Sequence, residues 1–160
     1  MPHDPFRDVY TRPKTAGHLQ DVLAKLKQNL DSLGTYTDSL AAVIFGTGTA
    51  SSAITAFQVV RSDGAGTVTP AQATSQAGSD IVGIATAAAS MGAAVTYQTT
   101  GVVDYTPGGL TPGSIYYLSA AVAGGITATP PSSAGQYIVV VGKATAANKL
   151  VLQIGQGILI

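Results

Sequence analysis

From residue 53 to residue 160 the chain is cut into short apolar runs by Gly and Pro, a spacing that suits strands and turns rather than helices. Strands are expected near residues 56–61, 67–69, 81–86, 94–99, 101–105, 115–119, 126–129, 136–144 and 150–153. Turn chemistry supports several of their boundaries. Ser62-Asp63-Gly64-Ala65 carries a hairpin signal. Thr106-Pro107-Gly108-Gly109 and Thr111-Pro112-Gly113-Ser114 each place Pro before Gly, the pair that the centre of a type II turn requires. The run Tyr137-Ile138-Val139-Val140-Val141 is apolar on both faces and is expected to be covered on both, by another sheet or another subunit.

The rhythm is different before residue 35. Leu19, Leu23, Leu26, Leu30 and Leu33 recur at the alternating four- and three-residue spacing of a coiled-coil seam. Thr15 can cap the start of this helix, and Gly34 stops it directly after the last leucine. The outer face carries Asp21, Lys25, Gln28, Asp31 and Ser32, so the apolar stripe is narrow. Such a seam packs either on the chain's own β region or against the same helix of other copies, and its narrowness favours self-association. Five buried leucines contribute on the order of 1.5–3 kcal/mol each. A helix this short is marginal in water by itself, so the seam is expected to form together with the β region. Leucine at both seam positions leaves the number of copies open. Ahead of the helix, Pro2, Pro5 and Pro13 keep residues 1–14 extended, and Phe6, Arg7, Tyr10 and Arg12 are interface-forming residue types. The segment reads either as a loose terminus or as a docking arm.

Charge follows the same division. Residues 1–40 hold Arg7, Arg12, Lys14, Lys25, Lys27 and five Asp, whereas the rest holds only Arg61, Lys143, Lys149, Asp63, Asp80 and Asp104, and Glu is absent throughout. A long segment this poor in charge needs another way to stay specific and soluble, and hiding surface against copies of itself or a large assembly is one. Net charge is zero, so no long-range field draws the chain to nucleic acid or an anionic membrane. Without Cys there is no disulfide or thiolate chemistry. Residues 1–5 offer no apolar h-region, so no secretion signal is expected there, and no apolar run is long enough to span a bilayer.

Chemistry-bearing residues are few. His3 and His18 belong to the arm and the helix start, and His18 falls on the outer helix face. Carboxylate pairs for acid–base work can be drawn from the β region only among Asp63, Asp80 and Asp104. Asp63 is explained as a turn former, Asp80 sits at a strand entrance, and Asp104 is the least readily explained. Ser114 is not in a nucleophile elbow. Gly46-Thr47-Gly48-Thr49-Ala50-Ser51 lacks the third Gly and the Lys of a phosphate loop, so it reads as linker. No metal or cofactor motif is present, and no enzyme is expected. Of Tyr116-Tyr117, one ring should lie in the core and the other outside.

Residues 53–160 resemble the β modules of tailed-phage virion surface proteins, notably capsid decoration (cement) proteins and head fibres. The likeness is carried by Ile81-Val82-Gly83-Ile84-Ala85, Gly101-Val102-Val103, Leu110-Thr111-Pro112-Gly113-Ser114-Ile115-Tyr116-Tyr117-Leu118-Ser119, Gly124-Gly125-Ile126-Thr127, Pro130-Pro131 and Gly135–Ala144, with Leu150–Ile154 closing the series. Similar runs occur in tail fibres. The resemblance implies a non-enzymatic structural protein, commonly trimeric, made in the bacterial host cytoplasm and carried on the virion.

The expected fold is therefore mainly β: an extended arm (1–14), a short coiled-coil helix (15–34), a linker (35–52) whose apolar patch Leu40–Phe45 can add a short helix or strand, and an antiparallel β-sandwich or barrel-like module (53–160). The leading expectation is a homotrimeric capsid decoration protein that uses Phe6, Arg7, Tyr10 and Arg12 to grip the major capsid protein. The alternative is a tail or head fibre that binds a host glycan through exposed Tyr, Thr and Ser.

Overall fold

The computed structural model describes residues 24, 25, 27, 28 and 43–160. The chain divides into two compact units, residues 1–41 and 42–160. In the first, Ala24, Lys25, Lys27 and Gln28 are α-helical and exposed. The five seam leucines, the arm residues Phe6, Arg7, Tyr10 and Arg12, both histidines and the caps Thr15 and Gly34 lie outside the described residues.

The second unit is built almost wholly of strands: β1 (Phe45–Ala50), β2 (Val59–Gly64), β3 (Thr67–Pro70), β4 (Ile81–Ala85), β5 (Ala94–Gln98), β6 (Val102–Asp104), β7 (Ile115–Leu118), β8 (Ile126–Thr127), β9 (Tyr137–Ile138), β10 (Val140–Ala146), β11 (Lys149–Leu152) and β12 (Ile158–Leu159). The first five close a barrel in the order β1-β3-β2-β4-β5. A second sheet runs β6-β11-β10-β7-β8, and β12 pairs with β9 alone. Every pairing is antiparallel except β1 with β3, where Thr49 and Ala50 lie beside Thr67 and Val68 in parallel. A mainly β fold with a barrel thus agrees with the reading of the sequence.

The strand alternation explains how two cores share one wall. On β2, Val59 and Val60 are both fully buried although they point to opposite faces. On β4 the same holds for Ile84 and Ala85. Val60 and Ala85 face the barrel interior with Ala50, Ile54, Val68 and Val95. Val59 and Ile84 face the larger core, with Leu118, Val139, Val141 and Leu150.

Three expectations need correction. Residues 35–52 do not all serve as linker, because β1 lies within them and pairs with β5 from Phe45↔Gln98 to Thr49↔Ala94. Its glycines answer to close packing rather than to flexibility. A Cβ on Gly46 would enter the Tyr97 ring, and one on Gly48 would stand 3.0 Å from the Gly66 carbonyl oxygen. Within a single chain the run Tyr137–Val141 is not covered on both faces by another sheet: Val139 and Val141 are buried, whereas Ile138 and Val140 are half-buried, and cover by another subunit is a separate matter. Between them the chain changes partner, from β12 at Ile138 to β7 at Val140. The hairpin at Ser62–Ala65 turns later than expected, because Gly64 pairs with Thr67 and the tip is Ala65-Gly66. Both tip residues have positive φ, at 50° and 78°, as a two-residue type I′ loop requires.

The turn at Thr111–Ser114 forms as expected, with Gly113 at φ 86° and the Ser114 amide donating to the Thr111 carbonyl at 3.1 Å. At Thr106–Gly109 the hydrogen bond closes one residue earlier, from the Gly108 amide to Tyr105.

Candidate interaction surface

Of the three carboxylates in the β region, two are paired with a cation. Asp63 accepts from Arg61 at 3.2 Å through one oxygen and from the Ser51 hydroxyl at 2.9 Å through the other, which ties the β2 end to the segment after β1. Asp104 and Lys149, register partners on β6 and β11, form an ion pair on the surface. Asp80 ends the short 3-10 turn at Ala77–Ser79. Among the described residues no group of three His, Cys, Asp or Glu could hold a metal, and no buried side-chain polar atom lacks a partner. Also among the described residues, no helix is long and apolar enough to cross a membrane.

Tyr116 is buried, as one of the adjacent pair was expected to be, and its hydroxyl accepts from the Thr111 amide at 2.9 Å. Tyr117 is half-buried rather than outside. Tyr105 meets Phe57 edge to face, with ring centroids 5.7 Å apart. Burial, reinforced by the neighbouring Tyr116, raises the Tyr105 pKa above the ordinary phenol value.

The second unit also leaves large apolar side chains exposed. Val43, Ile44 and Phe45 are 43%, 54% and 54% exposed, and Val102 nearby is 40% exposed. This exposure does not come from a frayed end. The Ile44 carbonyl accepts from the Thr99 amide at 2.8 Å and the Thr99 hydroxyl at 3.0 Å, and its amide donates to the Thr100 hydroxyl. Gln98, buried between barrel and second sheet, donates its side-chain amide to the carbonyls of Thr100 and Val102 at 2.9 and 3.0 Å. That clamp fixes the bend at Gly101, where φ is 88° and a Cβ would press on Val43.

Val43, Phe45 and Val102 thereby line a groove of about 490 Å³ with Phe57, Ile84 and Asp104. Phe57 sits in it at φ 66°, a costly conformation for a bulky residue, held by the hydrogen bond its amide donates to the Ala85 carbonyl at 2.8 Å. A second apolar run, Ile158-Leu159-Ile160, is exposed on β12 and the residue after it. Its backbone is bonded to the segment before β9 by the Gly135 amide to Ile160 and the Ile160 amide to Gln136. A cleft of about 780 Å³ lies between the 3-10 turn and residues 154–157.

Sequence reasoning placed the contact residues in the arm; it marked the patch Leu40–Phe45 only as a short helix or strand within the linker, and it missed Ile158–Ile160. The first closes the six-residue apolar run Leu40–Phe45 and the second is three apolar residues, each beside a glycine, Gly46 or Gly157. That signal does not separate a buried strand from a displayed one. No model of a known protein family matches the chain, and no curated protein matches its sequence.

Proposed function

We propose that this chain is a structural protein of a tailed-phage virion, which decorates the capsid as a homotrimer and stabilises it. The observation that carries the reading is the pair of apolar runs, Val43–Phe45 and Ile158–Ile160, held out on a hydrogen-bonded backbone. Exposed apolar surface of this kind marks protein–protein contact. The scarcity of charge beyond residue 40 and the resemblance of residues 53–160 to virion surface modules support the same conclusion.

In this reading the leucine seam Leu19, Leu23, Leu26, Leu30 and Leu33 holds the copies together through the coiled-coil helix. The arm residues Phe6, Arg7, Tyr10 and Arg12 contact the major capsid protein. The work is mechanical: one trimer bridges neighbouring capsid subunits, so the shell resists the pressure of packed DNA.

The test mixes the full chain with expanded capsids, alongside a variant lacking residues 1–14. Full occupancy by the whole chain and loss of binding by the variant are expected. Failure of the whole chain to bind capsids, with binding to host cells or polysaccharide instead, replaces this reading with the fibre alternative.

A further inference from the structure

We propose that the outer face of the second sheet is a docking surface for a different protein, one that presents a carboxylate within an apolar surface and sets it on Lys143. The inference rests on the function proposed above for the identity of that protein, the major capsid protein, and it adds to the arm a contact made by the β unit.

The face follows from strand alternation. Val103, Leu150, Ala144 and Tyr116 point into the larger core, so their neighbours along each strand point away from it. Register sets Val102, Val151, Lys143 and Ile115 side by side across β6, β11, β10 and β7. The next pair on the same face is Tyr117 with Val140. Val102 and Ile115 are 40% and 44% exposed, and Val151, Tyr117 and Val140 are half-buried. An antiparallel sheet with one wet side ordinarily turns polar residues outward. This one turns out valine, isoleucine and tyrosine, which marks a contact surface.

Lys143 selects the occupant. It stands between Val151 and Ile115 and makes no ion pair or side-chain hydrogen bond among the described residues, whereas Lys149 on the same face is matched by Asp104. In the free protein a lysine here keeps its ammonium in water while its stem covers apolar surface. A partner that covers the row removes that water, and an unpaired buried ammonium is costly. The partner must therefore bring a carboxylate to it. A second copy is poorly suited to do so. Two such faces laid together bring like charges into one contact. Among the described aspartates, the one without a cation is Asp80, and it lines a cleft with Gln76, Ser79 and Gln156 rather than an open apolar face.

The test uses the full chain bound to expanded capsids. A water-soluble carbodiimide condenses an amine with a carboxylate that it already touches. After digestion, mass spectrometry should find Lys143 joined to an Asp or Glu of the capsid protein. Lys143→Glu should weaken capsid binding at least about tenfold, and Lys143→Arg, which keeps the charge, should stay within about threefold of the unaltered chain. Ile115→Ser should weaken binding at least about fivefold through lost apolar contact. The mass of each variant in solution should match that of the unaltered chain, which separates loss of docking from loss of assembly.

Unchanged capsid binding by Lys143→Glu overturns this inference and leaves the proposed function standing. Coupling of Lys143 to an aspartate of this chain does the same, because it assigns the face to self-contact. Failure of the unaltered chain to bind capsids overturns both. Should Lys143→Glu alter the mass in solution, Lys143→Ala, which removes the charge without reversing it, carries the same comparison.

Discussion

Individual residues in this protein are constrained by backbone geometry and close approach more than by chemistry. Ala65 carries φ 50° at a hairpin tip, where Asn and Gly are the favoured residues. Ala65→Asn should raise stability by roughly 0.5–1 kcal/mol, because Asn tolerates the left-handed region better; chemical denaturation measures it, and no gain would argue against a strained tip. On β10, which lies between β7 and β11, a Cβ on Gly142 would run into the Val151 carbonyl oxygen. Gly142→Ala should therefore cost about 1–3 kcal/mol as overpacking, read by the same denaturation. Tyr105 gives a pH signature. Its pKa is raised in the folded state, so its stabilising effect is complete below pH 10.0 and is lost as pH rises through the folded value. Tyr105→Phe should flatten that alkaline loss in thermal unfolding followed from pH 9 to 12, relative to the unaltered chain.

Among the elements, the shared wall matters most. β2 and β4 bury neighbouring residues into two different cores, so barrel and second sheet should unfold in one transition. Val60→Ala weakens the barrel core and Val59→Ala the larger one, each by about 1–3 kcal/mol. In hydrogen exchange, either change should lower protection in both sheets together. A barrel that opens while β10 and β11 stay protected would show that the wall does not couple them.

Most strands were legible in the sequence, because alternation and the Gly and Pro breaks mark β2 to β8, β10 and β11 within a few residues. β1 was not legible, since Gly46 and Gly48 look the same whether they loosen a linker or admit a Tyr97 ring and a carbonyl. β12 is a two-residue strand whose partner, β9, lies about twenty residues earlier. Such a pairing leaves no local periodicity to read.

At the scale of the whole molecule, the expected behaviour is association. Replacing Leu26 with Lys should shift the full chain from oligomer to monomer in sedimentation or native mass measurement, because it sets a charge in the middle of the leucine stripe. An unchanged mass would remove the seam from the assembly. The candidate surface itself was not readable in advance. Val43–Phe45 and Ile158–Ile160 are as apolar as the buried Val139 and Val141, and composition alone cannot say which run is displayed.

The sequence by itself determined that the chain from residue 53 is β, where most of its turns fall, and that its ionisable groups are too sparse and separate to suggest a reaction. Local periodicity and turn chemistry are sufficient for such conclusions, since they depend on neighbours a few residues apart. The tertiary structure alone decided that β1 completes a barrel and that β2 and β4 face two cores. It also decided which apolar residues remain in the open. Those outcomes depend on contacts between residues far apart in the chain, such as Ile44 with Thr99 and Gly46 beneath Tyr97. A linear pattern does not encode what approaches it from elsewhere.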